Sequence, residues 1–209
     1  MQEGAAGVFG PGAAASEATL GRLAPVFAEA GHVGYVNLNL IVDERGPLPL
    51  EFTCRFGNPG FAVLAAAQCD GWGELFRRMA EGGFDRFETR PGWSVAVVLT
   101  VPPFPAVDHM ANTADDVPLF YREPPGDGEL EHYHPVDVRR DPEGQLFVRR
   151  RSGHAMIVTG TGTTVRDAQA AAQARARNVV APELRWRMDI GNRFLDGEGD
   201  RLRALGWLA

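Results

Sequence analysis

Leu48-Pro-Leu-Glu-Phe-Thr-Cys-Arg-Phe-Gly-Asn-Pro59 is the stretch from which the fold can be read. Its alternation is that of an extended strand, with Leu48, Leu50 and Phe52 on one face and Glu51, Thr53 and Arg55 on the other. The first face is expected to be core. The second lines up a carboxylate, a hydroxyl and a guanidinium just before Gly57-Asn58-Pro59 turns the chain away. A carboxylate suits a hard cation, and a guanidinium suits phosphate or carboxylate. The same spacing also describes a plain solvent-facing strand, and alternation alone does not choose between the two.

The segment before it supplies a partner. Gly34 to Val42 reads as a strand with Val36, Leu38 and Leu40 on one face and Tyr35, Asn37 and Asn39 on the other. Asp43-Glu-Arg-Gly-Pro47 is a turn, so the two strands are expected to form an antiparallel hairpin. Asn37 and Asn39 then face the Glu51 side, where Asn39 is a further oxygen donor or part of a polar solvent face. A helix capped by Ser16 precedes the hairpin, with Leu20, Leu23, Ala24 and Phe27 at helical spacing, a weak point at Pro25 and an end at Gly31-His32. Two more helices follow, one over 61–67 and one after Asp70 with Trp72, Leu75, Phe76 and Met79 on its inner face. A linker is placed near residues 83–92.

Composition narrows the class. The chain has 209 residues, 44% hydrophobic and 23% charged, as expected of a globular protein able to bury a core. Its net charge of −6 argues against general binding to nucleic acid or anionic membranes. No apolar run approaches a membrane span, and the N-terminus has no signal-peptide pattern. Cys54 and Cys69 make no disulfide or metal framework and read as buried small hydrophobes. The expected compartment is the cytoplasm.

In the second half, Ser94 to Val101 reads as a strand ended by Pro102-Pro103, and residues 102–144 hold only brief strand candidates. His154 to Thr159 is a further strand. Thr164 and Asp167 give a capping-box signal for a helix from Val165 to about Val180, whose inner face would be Val165, Ala168, Ala172, Ala176 and Val179. Small alanines there permit close packing on a sheet.

Leu50 to Pro59 resembles the signature L-E-F-N-x-R-F-G-D-P-E of phosphoribosylamine–glycine ligases (glycinamide ribonucleotide synthetases), ATP-grasp enzymes of purine biosynthesis. Trp186-Arg-Met-Asp-Ile-Gly-Asn-Arg-Phe194 resembles that family's closing motif, Y-R-x-D-I-G-x-R. The two matches stand far apart in the family's order, and the resemblance extends over roughly residues 10–195. It departs from the signature at Thr53, Asn58 and Gly60, which stand for Asn, Asp and Glu.

The resemblance implies an α+β fold: the second half of an ATP-grasp domain, an antiparallel sheet with packed helices, followed by a small mixed α/β C-terminal domain. The expected division is a loose lead-in over 1–15, the ATP-grasp subdomain over 16–88, the C-terminal domain over 92–196 and a tail over 197–209. The resemblance implies magnesium and ATP as cofactors, with Glu51, Thr53 and Asn39 as metal ligands and Arg55 as the catalytic anion-binding group. It implies ATP-dependent ligation of a carboxylate to an amine, with a small-molecule substrate and no nucleic acid or membrane. The first ATP-grasp half is expected to come from a protein partner, so that the single chain would be incomplete or impaired. The alternative is a non-catalytic binding or assembly module on the same scaffold.

The remaining chemistry-bearing residues form no recognised pattern. His132 and His134 alternate, but a zinc or iron site needs three or four ligands, and no recognised spacing joins Asp108, His109 or Asp137 to them. Thr159-Gly-Thr-Gly-Thr-Thr164 lacks the ending of a phosphate loop and reads as a strand-to-helix turn. Arg149-Arg-Arg151 reads as a solvated strand end, and Asp189 between Arg187 and Arg193 as a structural ion pair.

Overall fold

A computed structural model describes residues 4–8, 14–81, 88–105 and 116–208. In chain order the elements begin with β1 (Gly4–Val8), a helical turn α1 (Ala14–Ser16), a π-helical turn over Glu17–Gly21, and α2 (Arg22–Glu29). The hairpin strands β2 (Asn37–Asp43) and β3 (Gly46–Thr53) follow, then α3 (Gly60–Ala67) and α4 (Trp72–Glu81). Next come β4 (Trp93–Thr100), β5 (Val117–Tyr121), β6 (Tyr133–Pro135), β7 (Val138–Arg140) and β8 (Leu146–Val148). The chain closes with β9 (His154–Gly162), α5 (Val165–Asn178), β10 (Val179–Val180), a π-helical turn over Phe194–Glu198 and α6 (Gly199–Ala204).

The centre is the antiparallel pair β4–β9 in a sheet of order β1-β4-β9-β6. Both faces of this pair are covered, so β4 is buried almost along its length. Val95, Val97 and Leu99 pack with Met156 and Val158 against Ala168, Ala172 and Ala176 of α5. Ala96, Val98 and Ile157 pack on the other side against Ala62 and Val63 of α3. The alanine face of α5 therefore does what its residue sizes allow. Gly160 carries the approach furthest: a Cβ there would lie 2.2 Å from the Ala168 carbonyl oxygen. Thr164 caps α5 by accepting from the Asp167 N–H at 3.1 Å, while its own hydroxyl donates to that carboxylate at 2.7 Å. A second sheet, β10-β5-β8-β7, borders this core.

The hairpin forms its own two-stranded sheet, with a two-residue turn at Glu44-Arg45. Three expectations about its surroundings are corrected. Leu48, Leu50 and Phe52 do not make a buried face: they are 37%, 61% and 46% exposed. The register slips between Asn39 and Leu40, leaving Leu50 as an extra residue on β3. A one-residue insertion reverses the facing of everything beyond it, so Leu48 opposes Ile41 while Phe52 opposes Leu38, on the other side of the sheet.

The other two corrections concern the ends of the chain. Gly4–Val8, within the expected loose lead-in, is a strand paired antiparallel with Trp93–Val97. Such pairing uses backbone N–H and C=O, which a run of Gly and Ala supplies without any side-chain signal. Residues 197–209, expected as a tail, contain α6, and Trp207 packs on Gly46 in the hairpin turn. Residues 83–87 of the expected linker at 83–92 lie outside the described residues, as do Asp108 and His109. No helix among the described residues is long and apolar enough to cross a membrane.

Candidate functional site

The hairpin register places Asn39 opposite Glu51 and Asn37 opposite Thr53. Directly opposed residues of an antiparallel pair share a face, so Asn37, Asn39, Glu51 and Thr53 form one patch of oxygen-bearing side chains. The amide of Asn37 donates to the Asn39 Oδ1 at 3.4 Å along that face. Farther toward the turn, Ile41 and Leu48 form the next pair on the same side. The face is thus polar at its open end and apolar at its turn end.

Two features of the polar end are chemically notable. Thr53 Oγ1 is buried with no hydrogen-bond partner among the described residues. A buried hydroxyl left unpaired costs about 1–3 kcal/mol, so an oxygen donor here lacks its counterpart. Glu51 is exposed, and among the described residues its carboxylate makes no hydrogen bond or ion pair. Oxygen donors of this kind fit a hard divalent cation such as magnesium, which keeps several waters and takes one or two carboxylates from protein.

Arg55 lies beyond the end of β3. Its guanidinium donates to the Phe56 carbonyl at 2.9 Å, is exposed, and makes no ion pair with Glu51 or any other described carboxylate. The turn that carries it is fixed by Phe56. That ring stacks on Tyr35 at 4.4 Å and meets Phe61, Trp72 and Phe76 edge-on at 5.4, 5.5 and 6.2 Å. Burial raises the Tyr35 hydroxyl pKa above its ordinary value. Gly57 then lets the turn close on the hairpin, since a Cβ there would sit 2.7 Å from Asn37 Oδ1. This aromatic support was not foreseen from the sequence. Its members come from four separate segments, only Trp72 and Phe76 sharing a helix, and periodicity reports only neighbours within one element.

The other candidates resolve as structure. His132 is buried, with Nδ1 3.0 Å from Thr159 Oγ1. Burial lowers its pKa, helped by the nearby Arg175 cation, and burial likewise lowers that of His134. Arg175 is engaged in a bidentate pair with Glu129 and donates to the Thr159 carbonyl. No group of three or more His, Cys, Asp or Glu suited to a metal occurs among the described residues. Asp189 pairs with Arg187 at 2.7 Å, and that hydrogen-bonded cation lowers its pKa. Arg149 pairs with Asp137, and Arg150 with Glu183 and the Pro102 carbonyl, so both are bound into the fold. Cys54 and Cys69, read as small hydrophobes, are free thiols and exposed.

Two cavities lie away from the hairpin. One of about 250 Å³ is bounded by Ala67, Arg90, Trp93 and Thr161, and one of about 470 Å³ by Arg122, Arg177, Leu184 and Trp186. The Glu51 face lines neither of them, and lies open on the hairpin.

No family model matches the chain. Curated relatives do. The phosphoribosylamine–glycine ligase of Mycobacterium tuberculosis (strain ATCC 25618 / H37Rv) is 29% identical over 182 residues, covering 83% of this chain and 40% of the relative. That of Escherichia coli O6:H1 is 28% identical over 172 residues, 80% of this chain and 38% of the relative. The chain therefore spans about two fifths of the length of the curated relatives it matches. Among solved structures, the phosphoribosylamine–glycine ligase of Thermotoga maritima superposes with a TM-score of 0.68 at 22% identity, over 90% of this chain and 46% of that one. The biotin carboxylase domain of a thermophilic 2-oxoglutarate carboxylase, bound to bicarbonate, gives 0.52 at 15% identity, over 87% of this chain and 39% of that one. The chain thus has the α+β fold of the second part of an ATP-grasp domain followed by a mixed C-terminal domain, and it resembles the phosphoribosylamine–glycine ligases in sequence over most of its length.

Proposed function

From its likeness to the C-terminal part of phosphoribosylamine–glycine ligases, we propose that this chain supplies the metal-bearing wall of an ATP-grasp site. The site would serve ATP-dependent ligation of glycine to phosphoribosylamine in purine biosynthesis. The observation that carries the reading is the register Asn39–Glu51 and Asn37–Thr53, with Thr53 Oγ1 buried and unpaired among the described residues. These are oxygen donors on one face of one hairpin, the arrangement that magnesium and triphosphate oxygens require.

The Glu51 carboxylate, the Thr53 hydroxyl and the Asn39 amide oxygen would hold magnesium. Bound there, it would neutralise phosphate charge while the terminal phosphoryl group of ATP passes to the glycine carboxylate. Arg55 would stabilise the anionic carboxylate and phosphate groups from the turn beyond the strand. The amine of phosphoribosylamine would then attack the acyl phosphate, forming the amide and releasing phosphate. Ile41 and Leu48, at the apolar end of the same face, suit the flat surface of the nucleotide base. The opposing wall of the cleft would come from the part of the ATP-grasp fold that these residues do not span. Residues 16–88 and 92–196 would be the two structural regions meeting in the α3–β4 core.

The second reading, a non-catalytic binding or assembly module, is favoured by Thr53, Asn58 and Gly60. They leave the matched stretch with a single carboxylate, Glu51, where the family signature has three. One experiment addresses both readings. The wild-type chain and Glu51→Gln are each mixed with the first half of the Mycobacterium tuberculosis ligase. Mg-ATP is titrated calorimetrically, and phosphate release is followed with glycine and phosphoribosylamine. A loss confined to Glu51→Gln supports the metal-bearing wall. Equal affinity and turnover in the two would make Glu51 a scaffold residue. The chain by itself is expected to bind Mg-ATP weakly.

A further inference from the structure

The larger cavity, of about 470 Å³, has a charged side and an apolar side. Arg122 and Arg177 form the charged side and are exposed, while Val179 is buried and Val180, Leu184 and Trp186 are half-buried. The cavity therefore opens at its guanidiniums and ends in hydrocarbon and indole. Val180 opposes Phe120 in the β10–β5 pair, so the exposed Phe120 ring extends the apolar side outward.

Local structure fixes this arrangement. β10 follows directly on α5 and so brings the last turn of the helix to the cavity together with Val179 and Val180. Arg122 follows β5, and its backbone N–H donates to the Asn178 carbonyl at 2.8 Å. Its Nε donates to the Arg177 carbonyl at 2.9 Å, which seats the guanidinium on the C-terminal end of α5. That bond leaves the two terminal nitrogens of Arg122 without a partner among the described residues. Among the same residues the Arg177 side chain makes no hydrogen bond or ion pair.

The two cations lack a counter-ion in a chain with 27 acidic residues against 21 basic ones. Elsewhere arginines hold carboxylates, as Arg175 holds Glu129. Glu183, the acid in the cavity's own loop, is held by Arg150 and Arg185. Each guanidinium fork matches phosphate oxygens. Two forks match the charge of about −2 on a phosphate monoester near neutral pH, where a carboxylate brings a single charge. The apolar wall offers a sugar nothing: its one polar side-chain group, the Trp186 indole N–H, already donates to Gln173 at 3.1 Å.

We propose that this cavity binds an organic phosphate monoester with a flat or branched apolar body. The phosphate sits on Arg122 and Arg177, and the body lies against Leu184 and Trp186. The volume falls within the roughly 300–1,000 Å³ usual for small-molecule sites. Leu184 and Trp186 pack with the α5 layer, whereas the Glu51 turn is anchored through Phe56 and Phe61 to α3, on the other face of the β4–β9 sheet. The inference thus stands apart from the ligase reading, and its ligand is not the substrate of the Glu51 face.

The test is calorimetry on the full chain with phenyl phosphate as the probe, and with ribose 5-phosphate, inorganic phosphate and phenol as comparisons. Phenyl phosphate is expected to bind with a dissociation constant of about 1 mM or below, at least about tenfold more tightly than each comparison. In nuclear magnetic resonance spectra the Trp186 indole N–H signal, identified by its loss in Trp186→Phe, should shift with the same midpoint. Arg177→Gln should weaken binding at least about tenfold with an unchanged thermal midpoint. Arg55→Gln should leave binding unchanged. The indole shift, read on the wild-type chain, decides even if a variant does not fold. Equal affinity for ribose 5-phosphate or inorganic phosphate would make the arginines a bare anion point and overturn the proposal. Equal affinity for phenol would leave the guanidiniums without a role and overturn it as well. Loss of binding in Arg55→Gln but not in Arg177→Gln would move the phosphate to the Glu51 face, again against the proposal. So would an absence of binding up to about 10 mM. None of these outcomes bears on Mg-ATP binding with the first half of the ligase, which tests the ligase reading separately.

Discussion

Trp207 packs over Gly46, with indole carbons 3.5 and 3.9 Å from the position a Cβ would take. The last aromatic of the chain therefore covers the turn that sets the register of the Glu51 hairpin. Arg201 of α6 forms an ion pair with Glu44 in the same turn. Gly46 is buried and has φ of +113°, a backbone state that residues with a Cβ rarely adopt. Gly46→Ala meets only ordinary contact distances, so its penalty comes from the backbone. A loss of about 1–3 kcal/mol is expected, seen as a lower urea midpoint. Trp207→Ala should also destabilise the chain and should speed amide exchange at Asp43 and Gly46. Unchanged exchange there would mean that the C-terminal helix does not brace the hairpin.

Thr53 allows stability and ligand binding to be separated. Its hydroxyl is buried and, among the described residues, unpaired, so it costs free energy in the chain as it stands. Thr53→Val keeps the shape and removes that oxygen. Unfolding should show unchanged stability or a gain of about 1 kcal/mol. Mg-ATP binding, measured with the first half of the Mycobacterium tuberculosis ligase present, should weaken. A stability loss with unchanged binding would show that the hydroxyl serves the fold.

Much of the frame was legible because local rules governed it. The capping pair Thr164–Asp167, the alanine face of α5, and the position of Asn39 opposite Glu51 all follow from spacing within one helix or one hairpin. What was not legible depends on distant or unsigned information. The bulge at Leu50 carries no distinctive residue, yet it moves Leu48 to the face of Ile41 and cancels the expected buried strip. The pairing of Gly4–Val8 with β4 is a backbone event, and the support of Trp207 comes from the opposite end of the chain. At the candidate site, the alignment of Glu51, Thr53 and Asn39 could be read from alternation. The aromatic bed beneath Phe56 could not.

Gly160 marks where the central sheet and α5 come closest. A Cβ there would lie 2.2 Å from the Ala168 oxygen and 2.3 Å from the Ala172 nitrogen, both backbone atoms that no rotamer change can move. Gly160→Ala must push the helix off the sheet and open the Val97–Ala172 layer. The expected loss is about 3 kcal/mol or more, with a thermal midpoint lower by several degrees. Gly126→Ala, where nothing lies within 4 Å, should stay within about 0.5 kcal/mol of wild type. Similar stabilities for the two variants would refute the close β9–α5 contact.

The histidines on the sheet edge give the fold a pH dependence of defined sign. His132 is held below its ordinary pKa first by burial and then by the Arg175 cation, against the opposing pull of Glu131 and Glu129. His134 is lowered by burial and by His132. A histidine with a depressed folded pKa is neutral in the fold while the unfolded chain already takes up a proton. Stability is therefore full above the unfolded value of about 6.5 and falls as pH drops below it toward the folded values. The carboxylates held low by arginine, Glu129 among them, lose their contribution only at pH values below about 4.5, so the two windows are distinct. Urea unfolding between pH 8 and pH 5 should show a decline beginning near pH 6.5. His132→Gln should flatten that decline at the acid end, while lowering stability at pH 8 through the altered bond to Thr159. A wild-type profile that is level down to pH 5 would mean that His132 is accessible to protons in the fold, contrary to its burial.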